Sequence, residues 1–508
     1  MKPKSDLCHL PYLLEHKVFC AINLPTLILL MAMTTMFQPN CSYGKNVVLI
    51  LSDDHRYDFM GFHEKSPSWL ETPGFDRMAK EGIHIENAFV STSLCSPSRA
   101  SILTGRYMHH HKVVDNQRPV PKHNVFFPQI LQKSKVQTAY VGKWHMGHDD
   151  DSPRKGFEYW ASFKGQGRYM DPTININGMR KSFKGYNADV LTDLALNWME
   201  NERDQSKKFY LQIGYKAVHY PFKPAPRHKG RYRGKAIPYP QTMARTERNY
   251  KTQPGWVKER RYSIHGIDHM ETGAYDNDPV PSFDALYYDY AEAVHSLDEN
   301  VNAILDFISS TKSLNDTIVI YLGDNGFHLG EHGFYDKRDA FETSIRIPML
   351  VWSPNGLIKR GKINKMIQNI DIAPTVLDLM EIKNPNSKNM DGMSFADFLY
   401  GGEPENWRDH ILYEYHWEWN FPATPSLFAI RTEKYKYVYY HGTWDHDSFH
   451  DLEKDPIERH NLIDIPIYSD VIQSLKEKLF EELSKSGAME IPVKAPAGER
   501  LGQRKIPL

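Results

Sequence analysis

The chain has 508 residues, 41% of them hydrophobic and 25% charged, with a formal net charge of −1. That is ordinary globular composition, long enough for a large apolar core and for two to four domains. A nearly neutral chain carries no overall field toward nucleic acid or an acidic surface, which excludes partners recruited by bulk charge.

The first 42 residues differ from the rest. Lys2, Lys4 and Lys17 precede the apolar run LPTLILLMAMTTMF (24–37), which has the length of a signal-peptide core and is short for a membrane span. This predicts an export segment over 1–42 and a periplasmic or secreted protein. Cys41, just beyond the apolar run, is a candidate lipid-anchor cysteine. Cys8, Cys20 and Cys41 all fall in this segment, so Cys95 has no obvious disulfide partner in the remaining chain.

Beyond it, short apolar runs end in polar residues. NVVLILSDD (46–54) reads as a buried parallel strand ending at Asp53 and Asp54. QTAYVGKWHMG (137–147) repeats the pattern with Lys143 and His145, KFYLQIGYKAVHYPF (208–222) with His219, and DTIVIYLGDNGFHLG (316–330) with Asp324 and Asn325. IRIPMLVWSP (345–354) is a further buried strand. Helical periodicity falls between them, over 74–83, 188–202 and 287–309. The alternation predicts an α/β fold, a large mostly parallel sheet sandwiched by helices, over 43–384. In such sheets ligands sit beyond the C-terminal strand ends, where all these polar groups fall. After about residue 385, alternating β-formers (427–442), a turn-rich stretch (449–462) and an amphipathic helix (468–486) predict a smaller C-terminal subdomain over 385–508, built on an antiparallel sheet and a closing helix.

The segment 223–261 carries twelve Lys and Arg against Glu247 and Glu259. It reads either as a solvated basic surface or as a wall that attracts an anionic polymer, with Tyr232, Tyr239 and Trp256 available to pack on sugar rings.

Asp53, Asp54, Asp324 and Asn325 are hard oxygen donors that suit Ca²⁺ or Mg²⁺ better than Zn²⁺. Each pair alone also reads as a turn or a helix cap. Lys143, His145, His219 and Lys337 can form an anion pocket beside such a cation, which suggests attack on a tetrahedral anion, phosphate or sulfate. MHHHK (108–112) is either a metal cluster or a helix-end feature. The nucleophile candidate is Cys95, at the start of the helix SRASILTGRY, where the helix dipole favours an anion and Arg99 can reach back to it.

CSPSRASILTG (95–105) resembles the Cys-x-Pro-Ser-Arg-x-x-x-Leu-Thr-Gly signature of the type I, formylglycine-dependent sulfatases. LSDDHRYD, GKWHMG, GDNGFHLGEHGFYDKRDAFETSIRIPMLV and NIDIAPTVLDLM are similar to further blocks of that family, in its order, so the resemblance covers about 45–465. It implies an alkaline-phosphatase-like fold and a sulfuric ester hydrolase. It implies that a separate formylglycine-generating enzyme oxidises Cys95 to Cα-formylglycine (3-oxoalanine). One hydroxyl of the hydrated aldehyde then attacks sulfur and the other expels sulfate. It implies Ca²⁺ held by Asp53, Asp54, residue 95, Asp324 and Asn325. Arg99 would steady the nucleophile, Lys143 and Lys337 hold sulfate oxygens, His145 assist sulfate release and His219 protonate the leaving group. His328 or His332 is a further candidate.

The block around Lys337 is similar to enzymes of sulfated polysaccharides, algal or glycosaminoglycan, and an algal chain such as ulvan is the leading expectation. A phosphoester or phosphonate hydrolase of the same superfamily, and a catalytically silent glycan-binding homologue, are the alternatives.

Overall fold

NVVLILS forms the central strand β1 (Asn46–Ser52) of a ten-stranded sheet, in a computed structural model that describes residues 46–271, 282–385, 387–442, 445–492 and 496. The other strands are β2 (Ile83–Ile85), β3 (Gln137–Lys143), β4 (Tyr159–Phe163), β5 (Thr173–Ile176), β6 (Met179–Ser182), β7 (Phe209–Gly214), β8 (Thr317–Gly323), β9 (Met349–Trp352) and β10 (Gly361–Ile363). Their order across the sheet is β10-β2-β9-β8-β1-β7-β3-β4-β5-β6. Strands β8, β1, β7, β3 and β4 run parallel, whereas β9 is antiparallel to both β8 and β2, and β5 and β6 form an antiparallel edge.

Every residue of β1 is buried, because both faces of the sheet are covered. The two-residue period of a strand sorts its side chains. Val47, Leu49 and Leu51 pack toward α2 (Cys95–Thr104), α3 (Phe127–Lys133) and α6 (Ile372–Leu379). Val48 and Ile50 pack toward α1 (Pro73–Glu81), α4 (Asn187–Asn197) and α5 (Phe283–Ser310).

The C-terminal part has the expected antiparallel sheet, β11 (His410–Tyr415), β12 (Leu427–Thr432), β13 (Tyr435–Tyr440) and β14 (Ser448–Asp451), and the helix α7 (Ser469–Ser486). Leu412, Phe428, Ile430 and Tyr437 pack on Leu475, Leu479 and Leu483 of α7. The opposite face, with Ile411, Tyr413, Ala429 and Val438, joins the core that also holds α2 and α6. The predicted export segment, with Cys8, Cys20 and Cys41, lies outside the described residues. Among the described residues, no helix is long and apolar enough to cross a membrane.

Candidate active site

Register brings the acidic residues together. Ser52 of β1 pairs with Gly323 of β8, so Asp53 and Asp324 leave the sheet side by side. The backbone then locks them: Asp324 N–H donates to the Ser52 carbonyl at 2.9 Å, and Asp54 N–H donates to Asp324 Oδ1 at 3.1 Å. Asp54 turns back at φ 59°, a left-handed conformation that Asp tolerates better than bulkier residues. Carboxylate oxygens of Asp53, Asp54 and Asp324 lie within 4.8 Å of one another, all buried.

Helix α2 delivers the signature to the same place. All ten of its residues are buried, so its serines must find partners inside the protein. Ser98 Oγ donates to the Asp324 carbonyl, and Ser96 N–H donates to Asn116 Oδ1 at 2.9 Å. The helix ends at Gly105, φ 67°, whose N–H closes on the Ser101 carbonyl at 2.9 Å; this left-handed cap is the physical reason for the glycine in LTG. Cys95 Sγ lies 3.3 Å from Asp53 Oδ1.

Arg99 holds the cluster in register. Its Nε donates to Asp324 Oδ2 at 2.9 Å and its Nη1 to the Lys143 carbonyl at 2.7 Å. Lys143 Nζ bonds Asp53 Oδ2 and, at 2.5 Å, Gln166 Oε1. Lys337 Nζ donates to Asp54 Oδ1 at 2.5 Å. His219 Nε2 lies 3.8 Å from Asp54 Oδ2, and its Nδ1 is 2.8 Å from the Tyr220 carbonyl, which holds the proton there in the neutral ring. His145, at φ 65°, lines the same cavity of about 180 Å³ as Asp54, His219, Lys337, Gln166 and Arg338. The structure thus assembles Asp53, Asp54, Cys95, Arg99, Lys143, His145, His219, Asp324, Asn325 and Lys337 at one end of the sheet.

Electrostatics differ from residue to residue. Burial would raise Asp53, but Lys143, His219 and Arg99 hold it well below the usual carboxylate range. Burial, with Asp53 adjacent, lifts Asp324 to about 7 against the pull of Arg99. Burial pushes His145 and His219 well below the ordinary imidazole value, and Lys143 adds to the effect on both. The thiol corrects one expectation. Burial and the neighbouring Asp53 raise Cys95 far above its ordinary value, and this outweighs Lys143 and Lys337. As cysteine, residue 95 is a neutral thiol.

The donor set suits a hard divalent cation. Asn325 Nδ2 donates to Asp54 Oδ1 at 2.7 Å, while Asn325 Oδ1 and Asp54 Oδ2 are buried and accept no hydrogen bond. Two such oxygens, one on the amide and one within the cluster of three carboxylates, are what Ca²⁺ coordination uses.

Other sequence candidates fall elsewhere. His328 Nε2 sits 3.0 Å from both Asp339 oxygens, and His332 stacks on Phe341 at 3.8 Å, so neither joins the cluster. The histidines of MHHHK form a helix-end brace: His109 bonds Glu414 of β11, His110 bonds Asp391, and His111 bonds Ser101 of α2. The basic segment 223–261 lies away from the cluster. Arg227 pairs with Asp189 and Glu299, Arg231 with Glu71, Arg233 with Asp289, and Arg260 with Asp339. Tyr232 is buried against Trp69, and Trp256 packs on Phe334 and Tyr440. No residue of 223–261 lines the cavity, and these four arginines are each paired with an acid from outside the segment, while Tyr239 stays 54% exposed. Sequence reasoning missed Gln166, Arg338 and Phe421. The glycines flanking Gln166, at φ 53° and 65°, were the available signal for a loop presented to the site.

Comparison with known proteins agrees with this geometry. The Sulfatase family matches residues 45–382, and the C-terminal family of N-sulphoglucosamine sulphohydrolase matches 330–485. An N-acetylglucosamine-6-O-sulfatase of Bacteroides thetaiotaomicron is 30% identical over 494 residues, covering 87% of this chain and 86% of the relative. An ulvan-active sulfatase of Formosa agariphila is 26% identical over 455 residues, covering 87% and 81%. A protein solved in complex with its substrate D-glucosamine-2-N,6-O-disulfate superposes with a TM-score of 0.79 at 28% identity, covering 88% of this chain and 98% of that one. The chain belongs to the sulfatase family, the sulfuric ester hydrolases of alkaline-phosphatase-like fold.

Proposed function

We propose that this chain hydrolyses sulfate esters on a glycan, with residue 95 as nucleophile after conversion of Cys95 to Cα-formylglycine by a separate maturing enzyme. The observation that carries this is the setting of the thiol. It is buried at the start of a fully buried helix bearing the signature, 3.3 Å from Asp53, and held un-ionised. A neutral thiol there is a poor nucleophile, so the arrangement of the site makes sense with the residue converted.

Asp53, Asp54, Asp324, Asn325 and residue 95 would hold Ca²⁺, which when bound supplies positive charge against the sulfate oxygens. Lys143 and Lys337, now spent on Asp53 and Asp54, sit where their ammonium groups can turn to an entering sulfate. Arg99 positions Asp324 and the end of β3. His219 Nε2 faces the cavity and takes the role of proton donor to the leaving alcohol; the negative charge of an entering sulfate opposes the depression of its basicity. His145 stands on the same wall and takes the proton at the sulfate-release step.

N-acetylglucosamine carrying a 6-sulfate replaces ulvan as the first substrate to try. The relative with that activity is 30% identical, against 26% for the ulvan-active one. Export through segment 1–42, with Cys41 as a possible anchor, and a catalytic part over 43–384 followed by a smaller part over 385–508, belong to the same proposal. Peptide mass spectrometry across residue 95, on protein produced with a formylglycine-generating enzyme, tests the nucleophile. Sulfate and phosphate esters of one alcohol then separate a sulfatase from a phosphoester hydrolase. Conversion with no hydrolysis of any ester would leave the glycan-binding homologue.

A further inference from the structure

A second cavity, of about 190 Å³, lies beside the first. The segment HWEWNF (416–421) forms the partition: Trp417, Trp419 and Asn420 line the second cavity, and Phe421 lines the first. The other wall is also continuous, since Asp115 and Arg118 line the second cavity and Asn116 and Gln117 the first. Glu418 accepts from Arg338 Nε at 2.9 Å, and the Arg338 guanidinium lies 4.3 Å from the centre of the Phe421 ring. The partition is therefore anchored to the residue that follows Lys337.

Its surface chemistry is that of a sugar site. Trp417 is 39% exposed, among the few large hydrophobic side chains that are. Its indole N–H donates to the Pro422 carbonyl at 3.2 Å, so the polar edge of this cavity-lining ring is taken. Trp419 stands edge-on to it, with centroids 6.4 Å apart and planes at 80°, which restrains the ring. Across the cavity, the Arg118 guanidinium bonds the Asp115 carboxylate, which also accepts the Gln117 and Arg118 N–H groups at 2.9 Å each. Aromatic rings and a fixed polar pair lining one cavity match a pyranose ring, which has one C–H face and a rim of hydroxyls.

We infer that this cavity is a second sugar subsite, taking the pyranose linked to the one whose sulfate ester enters the first cavity. The inference rests on the sulfated-glycan reading, and it makes chain length a determinant of rate. The test compares kcat/KM on N-acetylglucosamine 6-sulfate with kcat/KM on a tetrasaccharide bearing the same residue at its non-reducing end. Converted wild type should prefer the tetrasaccharide by about tenfold or more, and Trp417→Ala should erase most of that ratio through KM, with Trp417→Phe intermediate. A wild-type ratio near one, or a ratio unchanged in Trp417→Ala, overturns the subsite. Calorimetry with the desulfated tetrasaccharide separates this from failure of the functional reading. Binding to wild type that is lost in Trp417→Ala supports the subsite even if no sulfate ester is cleaved, and absence of binding to wild type overturns it even if sulfate esters are cleaved.

Discussion

Asn325 donates from Nδ2 to Asp54 Oδ1 at 2.7 Å, and this one bond leaves an oxygen of each residue, Asn325 Oδ1 and Asp54 Oδ2, buried without a hydrogen bond. An unmet buried acceptor costs on the order of 1–3 kcal/mol. A pair of them beside Asp53 and Asp324 is stabilised by a cation, which couples metal binding to folding. Ca²⁺ should therefore raise the melting temperature of the wild type. The stabilisation should approach about 2.7 kcal/mol at a hundredfold excess over Kd. Asp54→Asn and Asn325→Ala should lose that response. A wild-type melting curve indifferent to both Ca²⁺ and a chelator would refute the cation site.

Cys95→Ala should abolish turnover, to below about one-thousandth of the converted wild type, because the residue that bonds sulfur is gone. The substitution removes one atom at a helix start, so the melting temperature should move by only a few degrees, on the order of 1 kcal/mol. Cys95→Ser should be nearly as inactive when the serine stays unconverted. Near-normal turnover in either variant, measured on 4-nitrophenyl sulfate, would show that residue 95 does not do the chemistry.

Arg99 spans two strand ends, bonding Asp324 with Nε and the Lys143 carbonyl with Nη1. Lysine keeps the charge but cannot fork. Arg99→Lys should cost roughly 3 kcal/mol of stability, the scale of a broken buried ion pair. Turnover should fall by about a hundredfold through misplacement of Asp324 and Lys143. Urea unfolding and kcat on 4-nitrophenyl sulfate report the two effects separately. Loss of stability with full turnover would reduce Arg99 to a structural role.

His219→Ala should discriminate between leaving groups. A sugar alcohol needs a proton as it departs, whereas 4-nitrophenolate leaves unaided. The variant should lose about a hundredfold more kcat on N-acetylglucosamine 6-sulfate than on 4-nitrophenyl sulfate. Equal losses on both would move the proton donor to His145.

Acid should destabilise the fold through buried histidines. Burial lowers His55 to about 4 and His111 and His450 to about 3. Unfolded imidazoles bind protons first as pH falls, near 6.5, so the folded state loses its advantage progressively from about pH 6.5 down to about 3. His111 shows the cause: its Nδ1 accepts the Val113 N–H at 3.0 Å, and protonation would break that bond. Melting temperature should decline steadily over this window; a flat profile from pH 6.5 to 4 would contradict it.

The candidate site was largely legible before any folding, because it is built at strand ends. Apolar β-runs such as NVVLILS and TIVIYLG announce themselves, and the residues that follow them must share one edge of a parallel sheet. No such logic was available for 223–261. Charge count is a local property, but whether Arg231 faces a ligand or Glu71 depends on a residue 160 positions away. For Cys95 the helix start is a local argument, whereas burial beside Asp53, which raises the thiol, is set by the tertiary fold.

The sequence by itself determined the layered α/β architecture, the signature helix and the residues that gather at the strand ends, since each is written in short-range periodicity or in contiguous motifs. Only the tertiary structure decided three things: that Asp54 and Asn325 are each left with an unmet buried oxygen, that Arg227, Arg231 and Arg233 of the basic run pair with Asp189, Glu299, Glu71 and Asp289, and that HWEWNF stands as a partition between two cavities. The reason is physical. Electrostatics and packing act through space between residues that chain order holds apart, and a residue's partner, not its type, sets whether its charge is free to meet a ligand.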